Sequence, residues 1–198
     1  MTRTTLIALI CAIALSGGLY LLKGRPLLGE QPYSEREAEI ASRDATQLSP
    51  PEMLARLQMA ARQQPEAPEP QYFIGVLLRS QGRSEDAIRA FQSALRRDDT
   101  HVPSLVALGD VIMMRDGGVV TEPAAQLYGR AWNLDPGQHR AGLLAALPAY
   151  EAGDIGKAEA HWEVVKRDMP ADDPLFGMLE AFKSSIDEQR GGVTQPAE

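Results

Sequence analysis

Three histidines, one cysteine and two paired acids are the residues most suited to chemistry in this chain. His101 and His139 fall near expected helix starts and His161 within an expected helix, and none shares an HxxxH or HExxH spacing. A metal needs several such ligands converging, so no metal site is expected. Glu85-Asp86 and Asp172-Asp173 read as acids complementing helix N-termini. The chain has no GxSxG elbow, phosphate loop or dinucleotide fingerprint. Catalysis is not expected, and no cofactor is assigned. The spacing that does carry chemistry is non-covalent. Tyr72, Val76, Arg79, Val106, Asp110, Met113, Leu143, Leu147 and Tyr150 are mostly apolar or amphipathic, with two charges among them. If one surface gathers them, they suit capture of an amphipathic helix, with Arg79 and Asp110 fixing its orientation.

The elements that would position them follow from a period. Met53, Ala87, Ala124 and Ala158 are separated by 34, 37 and 34 residues. Four residues after each comes Leu57, Phe91, Tyr128 or Trp162. Seven after comes Ala60, Ala94, Ala131 or Val165, and twelve after comes Pro65, Asp99, Pro136 or Pro170. Offsets of four and seven share one helical face, and proline ends a helix. Partner helices precede the later anchors, with Gly75, Gly109 and Ala146 as the small crossing residues. The longer third spacing comes from RDGGVVTEP, where Gly117 and Gly118 accommodate three extra residues. Gly82 and Gly153 are expected to close first helices, and Pro148 to kink one. The aromatic at offset four is expected to fill the groove between successive hairpins.

This is the tetratricopeptide (TPR) pattern. It predicts an all-α superhelix over residues 49–190. About three repeats follow an N-terminal half repeat that starts at Ser49-Pro-Pro-Glu52, a capping box. A C-terminal capping helix is expected from Pro174, with Asp173 as its N-cap. Leu175, Leu179, Phe182 and Ile186 form its apolar stripe. Residues 191–198 are expected to be a disordered tail. The nine residues named above are the groove-facing positions of this register.

The chain has 198 residues, 44% hydrophobic and 24% charged, as a folded domain requires. All 27 acidic residues follow Lys23, together with 18 of the 20 basic ones, so the body carries 18 − 27 = −9. That balance disfavours nucleic acid as a partner. Cys11 is the lone cysteine, so residues 24–198 can form no disulfide, CxxCH haem attachment or thiol redox centre.

Leu6 to Leu22 carry no charge, a run just long enough for one transmembrane helix within residues 1–23. A signal-peptide cleavage near Ala14-Leu15-Ser16 competes, but LYLL extends the apolar run to Lys23 and favours a retained anchor. Ala8, Ala12 and Ser16 give that span one small-residue face. The charges on either side leave its orientation open. Residues 24–48 read as a polar linker, helical from Glu35 to Asp44.

Three stretches narrow the class. GRPLLGEQP (Gly24–Pro32) follows the span, GGVVTEPAAQLYGRAWNLDP (Gly117–Pro136) holds the insertion, and GDIGKAEAHWEVVKRDMPADDPL (Gly153–Leu175) carries Trp162. Together they resemble the CcmI/CycH family of c-type cytochrome biogenesis proteins and the related NrfG proteins. The resemblance implies a bacterial inner-membrane anchor, a cytoplasmic N-terminus and a periplasmic TPR domain. It implies binding of apocytochrome c, chiefly by its C-terminal helix, and transfer to haem-lyase membrane subunits, without covalent chemistry. Many family members have two spans and a cytoplasmic loop; one span is expected here, so roles of that loop are not carried over. The other reading is a general periplasmic TPR chaperone or scaffold of an envelope or translocation complex.

Overall fold

The computed structural model describes residues 33–177, 179, 180 and 184. The expected span at residues 6–22, the start of the linker, Phe182, Ile186 and the tail at 191–198 lie outside them. Among the described residues no helix is long and apolar enough to cross a membrane. The chain divides after Glu52 into two compact units.

The first unit contains helix α1 (Tyr33–Ser42) and a 3-10 turn at Ala45–Gln47. The helix ends two residues before the Asp44 expected from sequence. Asp44 has extended backbone and caps the 3-10 turn, its side chain accepting from the Thr46 N–H at 2.8 Å. Glu52 accepts from the Ser49 N–H at 2.9 Å and the Ser49 hydroxyl at 2.6 Å, the acid half of the expected capping box. Arg43 reaches the same carboxylate at 2.8 Å.

Helix α2 (Pro50–Gln63) leads into the second unit, where among the described residues three helical hairpins follow. The first is α3 (Glu69–Ser80) with α4 (Ser84–Leu95). The second is α5 (Val102–Arg115) with α6 (Glu122–Leu134). The third joins α7 (His139–Ala145) and α8 (Leu147–Glu151) to α9 (Ile155–Asp168). The bends contain glycines at positive φ: Gly82 at 71°, and Gly117 and Gly118 at 75° and 90° across the insertion. At Gly82 the left-handed residue lets the Arg83 N–H return to the Leu78 carbonyl at 3.0 Å, capping α3.

The anchors of the last three registers lie where the period puts them, whereas Met53, Leu57 and Ala60 of the first are only half-buried and Met59 is the buried residue of α2. Ala87, Ala94, Ala124, Ala131, Ala158 and Val165 are fully buried, as are Phe91 and Tyr128, with Trp162 nearly so. A Cβ on Gly75 would stand 2.5 Å from Phe91, and one on Gly109 would stand 2.8 Å from Tyr128. Each ring therefore lies on the glycine of its own hairpin. The aromatic seals the hairpin it belongs to, a contact the expected filling of the groove between hairpins left out, and the Tyr128 ring also meets Arg140 of the next hairpin.

Between successive repeats, Arg97 donates to the Pro65 carbonyl at 2.7 Å and Arg130 to the Asp99 carbonyl at 2.8 Å. Pro65 and Asp99 both stand twelve residues after an anchor, so each arginine ties its repeat to the turn ending the previous one.

The third hairpin departs from the pattern. Pro148 breaks the first helix outright: α7 stops at Ala145 and α8 starts at Leu147, with Ala146 turned between them. Proline supplies no N–H, and at the turn the Ala146 N–H reaches only weakly back to the Leu143 carbonyl, at 3.4 Å. Side chains of α9 supplement the backbone bonds there. His161 Nε2 donates to the Gly142 carbonyl and Trp162 Nε1 to the Leu143 carbonyl, both at 2.9 Å. Ala146 is buried in one cluster with Ala158 and Trp162, and Gly142 is a second close-contact residue: a Cβ on it would meet Trp132 and Val165 at 2.9 Å.

Among the described residues the core forms two clusters. One runs from Ile74 through Phe91, Leu105 and Tyr128 to Ala141, and Leu54 and Leu57 of α2 pack against it. The other gathers Leu143, Ala146, Ala158, Trp162, Val165, Met169 and Leu179. Asp173 caps the terminal helical segment as expected, accepting from the Leu175 N–H at 2.9 Å. Its other oxygen lies 2.8 Å from His139 Nδ1, fastening that segment to the start of α7.

Gly75→Ala is expected to destabilise the domain by about 1–2 kcal/mol, because overpacking against the fully buried Phe91 outweighs the gain in helix propensity. Gly156→Ala, in the first turn of α9 with open space at its Cβ, is expected to be neutral or to stabilise by up to about 1 kcal/mol. Thermal denaturation followed by circular dichroism measures both.

Candidate functional site

The first helices of successive hairpins stand side by side, and their exposed faces form a concavity of about 280 Å³. Tyr72 and Arg79 come from α3. Val102, Pro103, Val106, Ala107 and Asp110 come from α5, and Gln138 from the turn before α7. Tyr72 and Arg79 are seven residues apart, two turns along one helical face. Val102 and Val106, on one face of α5, bring apolar surface opposite them. The Tyr72 ring is held edge-on to Phe73 and His101, at centroid distances of 5.1 and 5.5 Å.

Four of the nine residues expected from sequence, Tyr72, Arg79, Val106 and Asp110, thus line one concavity. Val76 and Met113 are half-buried against the first core cluster. Leu143 is buried and its carbonyl is taken by Trp162. Leu147 packs against both clusters, and the Tyr150 ring tilts over Trp162 at 5.8 Å. The third-repeat trio is absent from this concavity because the break at Ala146 divides it between two short helices, ending the register an unbroken helix would have kept.

Asp110 is the polar centre. Its Oδ1 accepts from the Tyr128 hydroxyl at 2.8 Å and from Arg140 Nη1 at 2.9 Å, while Arg79 lies 3.7 Å from Oδ2. One carboxylate therefore joins α3, α5, α6 and α7. The Arg140 guanidinium also lies over the Tyr128 ring, 6.0 Å from its centroid. Burial, and then the hydrogen bond to Asp110, push the Tyr128 phenol well above the ordinary tyrosine range. Tyr128 therefore stays a neutral donor. Val102, Pro103, Gln138 and Arg140 were not among the expected residues. Gln138 and Arg140 flank the start of α7 and meet this site only through packing of one hairpin on the next, which leaves no mark in a periodic pattern.

A second concavity, of about 360 Å³, opens at the helix break beside Pro148, Asp154, Lys157 and His161. Its polar groups serve the fold: Asp154 caps α9 through the Lys157 N–H at 3.2 Å, and His161 holds the Gly142 carbonyl. Among the described residues no cluster of three or more His, Cys, Asp or Glu side chains is arranged to hold a metal.

Stacked antiparallel helical hairpins with small–aromatic crossing points define a TPR-type scaffold. A crystal structure of MamA shares this fold, with a TM-score of 0.50 at 20% identity, covering 59% of this chain and 66% of that one. The family model described as the cytochrome c-type biogenesis protein H TPR domain matches residues 29–176, and the chain belongs to that family. Two curated relatives are named cytochrome c-type biogenesis protein CycH. The one from Bradyrhizobium diazoefficiens is 26% identical over 180 residues, covering 91% of this chain and 47% of the relative. The one from Pseudomonas aeruginosa is 27% identical over 148 residues, covering 74% of this chain and 36% of the relative. The chain spans less than half the length of each.

The raised Tyr128 pKa has a signed consequence. In the unfolded chain the phenol ionises near pH 10, whereas the fold retains its proton. The folded state then binds more protons, so this group's contribution is complete below pH 10 and declines as pH rises, by up to about 1.4 kcal/mol per unit. Urea denaturation between pH 8 and 11 is expected to show a steeper alkaline loss in the wild-type chain than in Tyr128→Phe.

Proposed function

We propose that this chain is a TPR receptor for apocytochrome c, anchored in the bacterial inner membrane through residues 6–22 with its TPR domain in the periplasm. It takes the C-terminal helix of the apoprotein into the concavity between α3 and α5 and passes the chain to haem-lyase membrane subunits. Membership of a cytochrome c-type biogenesis family supports the pathway. The observation that carries the binding reading is the concavity itself, where Tyr72, Val102, Pro103 and Val106 offer apolar surface beside the polar Asp110 centre. An amphipathic helix seated there would bury its apolar stripe and keep its polar face in water. Holding an unfolded chain for delivery requires reversible contacts and no bond making or breaking, which matches a site built from rings, aliphatic side chains and ion pairs.

The test is titration of the full 198-residue chain, in mild detergent, with labelled C-terminal helix peptides of c-type cytochromes and scrambled peptides of equal charge. Micromolar binding, about −8 kcal/mol, is expected for the native order. Tyr72→Ala, which removes groove surface, is expected to weaken it about tenfold or more. Pro103→Asp is expected to do the same by placing a charge on the apolar side, at a helix start that tolerates an acid. Both variants should keep the helical circular dichroism signal. Equal binding of scrambled peptides would make the protein a general chaperone, and unchanged affinity in both variants would place binding elsewhere.

A further inference from the structure

We propose that the groove contains a carboxylate-recognition point at Arg79, so that the helix it accepts must bring an acidic group to that position. The inference rests on the groove reading above and adds the chemistry that selects the ligand.

Arg79 lines the concavity and its side chain is 34% exposed. The nearest acid, Asp110, is 3.7 Å away, too far for a hydrogen bond. Both short bonds to Asp110, from Tyr128 and Arg140, fall on Oδ1 and leave Oδ2 facing Arg79. Asp110 is thus held from its far side. It orients the Arg79 guanidinium electrostatically without occupying its donors. Among the described residues the Arg79 guanidinium has no hydrogen-bond acceptor. Its planar fork presents several N–H groups in the geometry that a carboxylate accepts two at a time.

The local charge points the same way. Arg79 and Arg140 surround one carboxylate, leaving one positive charge in a body that carries −9. At contact distance this excess outweighs the acidic body, whose remoter charges are screened over about 10 Å. A basic ligand side chain placed beside Arg79 would meet a cation. An acidic one would complete it.

The apolar and charged parts also lie at a usable separation. Tyr72 precedes Arg79 by seven residues, about 10 Å along α3. Val102 and Val106 line the opposite side of the same concavity. A ligand helix can rest its apolar stripe on Tyr72 and the two valines while a carboxylate one or two turns along reaches Arg79. That carboxylate is either an Asp or Glu side chain or the free C-terminus of the ligand chain.

The test uses the full chain and the cytochrome C-terminal helix peptides of the previous experiment, in three forms: unchanged, with each acidic residue singly replaced by its amide, and with an amidated C-terminus. Neutralising the recognised group is expected to weaken binding to the wild-type chain about tenfold, as loss of a charge-assisted pair does. In Arg79→Gln the same neutralisation should change affinity less than twofold, and Arg79→Lys should restore part of the discrimination. Sensitivity to one side chain or to the terminus identifies the source of the carboxylate. If every neutralised peptide binds the wild-type chain as tightly as its parent while scrambled peptides do not, the groove reading stands and the carboxylate point is overturned. If the tenfold loss persists in Arg79→Gln, the carboxylate is read elsewhere and Arg79 is excluded. If no peptide binds the wild-type chain, both readings fall.

Discussion

The hairpins close because aromatic rings occupy the volume that missing Cβ atoms leave empty. Phe91 over Gly75 and Tyr128 over Gly109 set how near two antiparallel helices approach, and a side chain on either glycine would strike the ring. Full burial of such a ring is worth about 1.5–3 kcal/mol, so the same contact that fixes spacing also supplies stability. Once the second helix is seated in this way, the first helices of neighbouring hairpins stand side by side. Their remaining face is what the concavity is made of.

Tyr128 links this packing to the groove. Its ring seals α5 against α6, and its hydroxyl reaches through to Asp110 on the groove side. Asp110 then ties in Arg140 and orients Arg79, so the polar centre of the concavity is fixed by the core beneath it. A pre-positioned polar centre spares a ligand part of the ordering cost of binding. Arg97 and Arg130, each bonded to a carbonyl of the preceding repeat, hold successive hairpins in the alignment this requires.

The third hairpin shows what happens when the rule is interrupted. Pro148 divides its first helix, and His161 and Trp162 donate to the Gly142 and Leu143 carbonyls near the break. The local backbone is satisfied, but the apolar face that would have extended the groove is redirected: Leu143 enters the core and Tyr150 lies against Trp162. The concavity therefore belongs to the first two hairpins and the start of the third. The C-terminal segment, fastened through Asp173 to His139, packs against the second core cluster instead.

The sequence alone determined the helical class, the caps at Glu52 and Asp173 and the buried anchors of the last three registers. Each of these depends on residues within a turn or two of one another, or on a period that helix geometry imposes. It also carried enough of α3 and α5 to name Tyr72, Arg79, Val106 and Asp110. Only the tertiary structure decided that Phe91 and Tyr128 seal their own hairpins, that Leu143 is core, and that Gln138 and Arg140 belong to the site. Those outcomes turn on how packed helices cross and on which side chains meet once Pro148 has broken the third hairpin, and the contacts involved join residues far apart in the chain.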